Sequence, residues 1–473
     1  MTLFPQTETL AVSGSDAPPS GGGVLASRCW RRCLLLLAVV GAVWGVSLGG
    51  GFRFDDWSNI VYDPATAQAG AFLDRLGWGL RPLLRATYFM DHALWGMNAT
   101  GFLLTNLLLH AFAVLSVFHL AARRLDGQGA ALVAALVFAL QSANTEAVVY
   151  LSGRSVLLST ALLLGALLAH ERGREKSSSA QAWRGLSLLA FVLAALARET
   201  ALVYPFLLWA WEATRPGGGK GRRVLLVSGL LAGLLAVLFL TLPRYRELAV
   251  YSTGSRSPLA SLAMNLAALP ESLSLWFRPW ALSLVHSTPD QAALRVTLGL
   301  TLLLLLVLLA VRGRRRWPLA ALAAAWVLIT LAPTHGLIAR RDLVTERQLY
   351  LAWVGPSLLA GGIWIYIRRT SAASMAAVAG VAILVGAGWA CLKRANLWRD
   401  EVGLWSDSVR KAPNSALAWN NLGAARRDAG DIPAAAAAFR RAIALDPSDR
   451  TPRFNLLALE FTSYRALDSR SQP

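Results

Sequence analysis

The run Phe54-Asp55-Asp56-Trp57 stands four residues beyond the first long apolar segment. Adjacent carboxylates repel, so one of them tends to keep its proton or the two share a cation. A carboxylate at the edge of a membrane can take the proton of an attacking hydroxyl. A solvated loop start with an aspartate cap would contain the same two residues. Charge close to hydrocarbon is costly, which makes the other charged residues at this level informative. They are Arg81, Arg154 and Arg347, with Glu146, Glu199 and Glu346 close by. The arginines can snorkel to the interface, and the glutamates can pair with Arg154, Arg198 and Arg347 as structural ion pairs. His110 lies inside an apolar segment, where an interhelical hydrogen bond is the expected use.

The elements that must position these residues are membrane spans. The chain has 473 residues, 55% of them apolar and only 15% charged, whereas soluble domains run at about 45–50% and about 25%. Eleven apolar runs account for the excess: 33–50, 102–121, 130–148, 155–170, 185–197, 200–213, 224–242, 293–311, 318–333, 349–367 and 372–391. Several approach the length needed for a ~30 Å hydrocarbon core. The runs 185–197 and 200–213 read as two short helices meeting at Arg198-Glu199-Thr200. Residues 256–280, broken by Asn265, Pro270, Glu271 and Arg278, read as an amphipathic surface element. Cys29, Cys33 and Cys391 form no disulfide framework or zinc spacing.

The formal charge of +19 would fit nucleic acid in a soluble protein, but sorted by loop it becomes a topology signal. With the N-terminus in the cytoplasm, the short inside segments carry 19 basic residues against four acids, and the outside loops carry 13 against 12. This bias sets orientation, and no nucleic-acid partner is needed to explain the charge. The expectation is an all-α, multi-pass membrane protein with about 11 spans. Residues 1–27 form a disordered cytoplasmic tail, 28–394 the membrane domain, and 51–101 its first external loop. The Ala-, Leu- and Arg-heavy composition favours a bacterial inner membrane.

Residues 395–473 change character. Trp419, Leu422, Gly423, Gly430, Ala435, Phe439, Ala442 and Pro447 fall as in a tetratricopeptide repeat over 416–449. Half a repeat precedes it and another starts near Thr451. Arg426 replaces a usual aromatic. This makes a small extracytoplasmic α-solenoid, which must lean on the membrane domain or on a partner because stacking needs about three repeats.

The ordered set of Phe52-Arg53-Phe54-Asp55-Asp56, Arg81-Pro82-Leu83-Leu84, Asp91, Thr105-Asn106-Leu107-Leu108-Leu109-His110, Asn144-Thr145-Glu146, Ser152-Gly153-Arg154, Arg198-Glu199-Thr200 and Glu346-Arg347, closed by tetratricopeptide repeats, carries a resemblance. The chain resembles the transmembrane and tetratricopeptide-repeat O-mannosyltransferase-like proteins of the GT-C glycosyltransferase superfamily over about residues 33–460. The resemblance implies transfer of a sugar, mannose as the first choice, from a polyprenyl-phosphate donor to an extracytoplasmic acceptor such as a protein Ser/Thr hydroxyl. It implies a catalytic acidic pair at Asp55 and Asp56. Asp55 would be the general base, and Asp56 would orient the acceptor or bind a divalent ion. A phosphate leaving group needs cations, for which Arg81, Arg154 and Arg347 are the candidates, with Glu146, Glu199 and Glu346 supporting them. The repeats would hold an acceptor or partner protein. A glycan or lipid acceptor, and a non-catalytic scaffold, remain alternatives. This chain has Gln141-Ser142 where the family carries His-Pro, and Arg198 where Lys is usual. It contains no nucleotide-binding signature, which fits a lipid-linked donor better than a nucleotide-sugar one.

Overall fold

Leu-, Ala- and Val-rich runs in hydrocarbon have no water to satisfy their backbone, so they fold as helices. The computed structural model describes residues 22–215, 222–286, 293–336 and 342–471. Every regular element among them is helical. The membrane domain contains α1 (Gly22–Trp44), α2 (Pro82–Trp95), α3 (Ala99–Arg124), α4 (Gln128–Ala139), α5 (Arg154–Gly173), α6 (Ala180–Ala197) and α7 (Tyr204–Ala213). It continues through α8 (Arg222–Thr241), α9 (Pro258–Ser274), α10 (Ala293–Arg312), α11 (Pro318–His335), α12 (Val354–Ile367) and α13 (Ala373–Leu397). Of the tail expected to be disordered, residues 1–21 lie outside the described residues, and 22–27 already belong to α1.

Among the described residues, eight helices are long and apolar enough to cross a bilayer. Two bent pairs bring the number to ten: Gln128–Ala139 with Ser142–Val149 (53°) and Glu346–Ala352 with Val354–Ile367 (49°). The eleventh expected span, 200–213, is not one continuous helix of membrane-crossing length, but it is the second of the two short helices expected to meet at Arg198-Glu199-Thr200. Arg198 adopts an extended conformation that ends α6, followed by a 3-10 turn at Glu199–Val203 and the ten-residue α7. This stretch is too short for a ~30 Å core by itself. It nevertheless links the two ends of the bundle, since Glu199 pairs with Arg81 at one end and Arg215 pairs with Glu171 at the other. Tyr204, Leu207, Leu208 and Trp211 are buried, so protein rather than lipid surrounds the irregular backbone, as such a break requires.

Helix α9 corrects the surface assignment of 256–280. Ala267, Ala268 and Leu269 are buried, and Asn265 donates to the Gly336 carbonyl at 2.6 Å. His110 meets its expectation: its Nδ1 lies 2.7 Å from the Tyr350 hydroxyl, joining α3 to the short helix Leu349–Ala352.

Helix α13 leads into α14 (Glu401–Lys411), α15 (Ala416–Asp428), α16 (Ile432–Leu445) and α17 (Thr451–Ser471). A Cβ on Gly423 would sit 2.6 Å from the Phe439 ring, so α15 and α16 can close only over glycine. The module leans on the membrane domain. Trp405 and Val409 pack with Phe54, Leu284 and Val285, and Lys411 Nζ donates to the Leu282 carbonyl at 2.7 Å.

Candidate active site

The two aspartates point to different surroundings. Asp56 is 1% exposed. Its Oδ1 accepts from the Ser152 N–H (2.7 Å) and hydroxyl (2.6 Å), and its Oδ2 accepts from the Arg53 N–H (3.0 Å). Burial pushes the Asp56 carboxyl up to about 6 against the pull of those three bonds, and the neighbouring Asp55 charge adds to the rise. Asp55 is exposed, with its backbone N–H donating to the Tyr150 hydroxyl at 3.3 Å. The turn between them and the span is built by Phe54 at φ 49°, a backbone conformation that costs a non-glycine residue energy and persists only where its surroundings enforce it. The enforcement is visible: the Phe54 ring lies 5.9 Å from Tyr150, 6.2 Å from Trp398 and 5.1 Å from Trp405. Arg53 Nη1 adds a 3.8 Å pair to Glu401 on α14. The repeat module therefore holds the residue that precedes Asp55.

Ser152 can reach Asp56 because Gly153 lets two turns close, since a Cβ there would sit 2.9 Å from the Glu146 carbonyl. Ser152-Gly153 is thus a clamp on the aspartate loop, a role that its place in the sequence does not reveal.

Asp55 opens into a cavity of about 1380 Å³. Arg81, Arg198, Glu199 and Arg347 line the same polar wall, while Leu202, Phe206, Phe239, Leu240, Leu328 and Ile329 line the rest. Arg81 holds Glu199 in a bidentate pair, Nε–Oε2 3.0 Å and Nη2–Oε1 2.6 Å. Burial alone would raise the Glu199 carboxyl, but the Arg81 guanidinium outweighs it and leaves the group at about 2. Arg347 pairs with Glu146 at 3.2 Å and also donates its backbone N–H to that carboxylate at 3.0 Å. Arg198 donates to the Ser155 hydroxyl at 2.9 Å and the Thr200 hydroxyl at 3.2 Å. The geometry thus brings together Asp55, Arg81, Arg347, Glu146 and Glu199, and adds Arg198. The signal for Arg198 was the charged break between two short apolar runs.

Three candidates stand elsewhere. Arg154, expected beside a phosphate, is fully buried off the cavity wall. It pairs with Asp91 (2.5 Å), donates to Asn106 Oδ1 and the Phe102 carbonyl (both 2.7 Å), and packs on Tyr88 (4.8 Å). Glu346 is fully buried and pairs with Arg394 through both oxygens (2.8 and 2.7 Å), so it anchors the end of α13 and not the cavity. The expected partners are exchanged accordingly: Glu146 takes Arg347, Glu199 takes Arg81, and Glu346 takes Arg394. Asp56 has no exposed oxygen with which to orient an acceptor. For the same reason the aspartate pair does not fit a divalent ion, because both Asp56 oxygens are already bonded to protein donors. Among the described residues, the His/Cys/Asp/Glu group spaced for a metal is His170, Glu171 and Glu212, and Arg215 and Arg174 occupy its carboxylates. Trp398 is buried against Phe54.

Comparison with known proteins extends this picture. Residues 416–449 match the tetratricopeptide repeat family model. A Protein O-mannosyl-transferase of Caenorhabditis elegans is 25% identical over 92% of this chain and 66% of its own length. Protein O-mannosyl-transferase TMTC3 of Mus musculus is 24% identical over 92% of this chain and 53% of its own. The chain therefore spans about half to two thirds of the length of these relatives. Among solved structures, ArnT from Cupriavidus metallidurans bound to undecaprenyl phosphate aligns with a TM-score of 0.47 and 16% identity, over 90% of this chain and 76% of that one.

Proposed function

We propose that this tetratricopeptide-bearing, O-mannosyltransferase-like membrane protein transfers a sugar, mannose by its similarity to the relatives above, from a polyprenyl-phosphate donor to a protein Ser or Thr hydroxyl. One observation carries the reading: a single cavity holds an exposed aspartate, three arginines and a long apolar wall. The arginines suit a phosphate, since guanidinium groups form bidentate charge-assisted bonds with it. The apolar wall of Phe206, Phe239, Leu240 and Ile329 suits the polyprenyl chain.

In the proposed reaction the acceptor hydroxyl gives its proton to Asp55 as its oxygen attacks the anomeric carbon. The bond from that carbon to the phosphate oxygen breaks, and its electron pair leaves on the phosphate. Arg81, Arg198 and Arg347 stabilise the charge that develops there. Attack opposite the leaving group inverts the anomeric centre. Asp56 acts through the fold by fixing the loop that carries Asp55. No step needs a metal at the aspartate pair. The repeats, joined to this loop through Trp405 and Glu401, would hold the acceptor protein, as concave repeat surfaces hold extended partners. A multi-pass chain with its cavity and repeats on the extracytoplasmic side fits the distribution of basic residues, and the Ala-, Leu- and Arg-heavy composition fits a bacterial inner membrane.

The test is incubation of purified protein with radiolabelled polyprenyl-phosphate mannose and a Ser/Thr-containing protein acceptor. Label released from the acceptor by β-elimination is the expected result. Absence of transfer by the wild type to any protein acceptor, with transfer to a glycan or lipid instead, would replace the acceptor class. Absence of all transfer would favour the scaffold reading.

A further inference from the structure

The ends of α3 and α5 opposite the cavity carry a second, unassigned site. Arg123, Arg124, Arg174 and Arg215 line a cleft of about 730 Å³ there. Arg123 also closes one end of a neighbouring groove of about 420 Å³ between α3, α5 and α6. Phe112, Leu162, Gly165 and Leu186 make the apolar part of that groove, and Arg172 joins Arg123 at its charged end. The groove therefore has the polarity of a lipid, apolar along its length and cationic at the membrane surface.

Two further observations identify the ligand. Phe112 and Arg123 are eleven residues apart on one helix, roughly 16 Å at 1.5 Å per residue, which is about half of a ~30 Å hydrocarbon core. The groove is one leaflet deep and fits an acyl chain. The charge of the groove and the adjoining cleft together is not balanced locally. Five arginines meet three carboxylates: Arg123 pairs with Glu175, Arg174 with Glu212 and Arg215 with Glu171. Arg124 donates to the Trp211 and Thr214 carbonyls, and Arg172 lies over the Trp183 ring at 5.7 Å. Neither has a carboxylate within ion-pair distance among the described residues.

We propose that this groove binds an anionic glycerophospholipid, with its phosphate held by Arg123 and Arg172 and one acyl chain lying against Gly165. Basic pockets between spanning helices recognise such headgroups. Gly165 keeps the groove open: a Cβ there would meet the Phe112 ring at 3.6 Å, and a larger side chain would fill the space.

Native mass spectrometry of the full chain in detergent tests this, with phosphatidylglycerol, phosphatidylcholine and polyprenyl phosphate offered in turn. Phosphatidylglycerol should be retained over phosphatidylcholine. Arg172→Gln, an exposed position, should lower its retention roughly fivefold, and Gly165→Leu should lower it at least as much. Arg314→Gln, which removes an exposed charge elsewhere, should leave retention unchanged. Equal retention of the two phospholipids would overturn the proposal, as would equal losses from Arg172→Gln and Arg314→Gln. Preferential retention of polyprenyl phosphate that Arg172→Gln removes would overturn the choice of lipid. The readout does not depend on sugar transfer, so it stands or falls apart from the proposed activity.

Discussion

The cavity wall and the packed layer beside it are built from the same residue types and do different work. On the wall, Asp55, Arg81, Glu199 and Arg347 face open space, and the paired side chains there keep about a third of their surface accessible (29% for Arg81, 31% for Glu199, 28% for Arg347). In the layer beside it, Asp56, Arg154 and Glu346 have essentially none, and each is enclosed by hydrogen bonds and ion pairs. The wall can exchange its partners for a ligand, whereas the buried layer can only be satisfied or broken. Asp55 and Asp56, adjacent in sequence, fall on opposite sides of that division.

The largest predicted break in the comparison is at Arg154. Replacement by Met leaves the buried Asp91 carboxylate without its cation, which should cost about 3–5 kcal/mol of stability. Thermal unfolding in detergent should show a much lower midpoint, and an unchanged midpoint would move Arg154 out of the structural layer.

Asp56 gives the next largest effect, through pH. In the folded protein it keeps its proton to about pH 6, against 3.8 for the ordinary side chain. The folded state thus binds the extra proton between those values, so stability is greatest below them and falls as pH rises through 6, by about 3 kcal/mol at most. Unfolding midpoints between pH 4 and pH 7 should show this decline in the wild type, and Asp56→Asn should flatten it.

On the wall, Arg347→Gln should reduce transfer about a hundredfold, the scale seen when one donor to a developing anion is lost. Its unfolding midpoint should move little. A loss of stability as large as that of Arg154→Met would erase the distinction between the two regions. The smallest effect belongs to Glu401→Gln, which removes the 3.8 Å, partly exposed pair to Arg53. Such pairs contribute about 0.2–1 kcal/mol, so the unfolding midpoint should barely change while the aromatic contacts to Phe54 hold the module in place.

Much of this was legible in the sequence. Composition and apolar runs placed the spans, and the positions from Trp419 to Pro447 placed the repeat. The Asp55-Asp56 pair was visible as a candidate site. Burial was not legible, because it depends on partners far away in the chain. Ser152 lies 96 residues from Asp56, Glu199 lies 118 from Arg81, and Glu146 lies 201 from Arg347. Residue spacing predicts contacts within a helix, where neighbours are three or four apart, and says nothing about which arginine meets which glutamate across a bundle. The break at Arg198-Glu199-Thr200 that starts the short α7 was legible, but only packing reveals that protein surrounds it.

The central claim is that Asp55 acts on the substrate while Asp56 holds the loop. Parallel measurement of mannose transfer and unfolding midpoint in Asp55→Asn and Asp56→Asn tests it directly. Asp55→Asn should lose about 10²–10⁴ in transfer rate and unfold like the wild type, whereas Asp56→Asn should keep most transfer per folded molecule and show the altered pH dependence of stability. Wild-type transfer by Asp55→Asn would contradict the account.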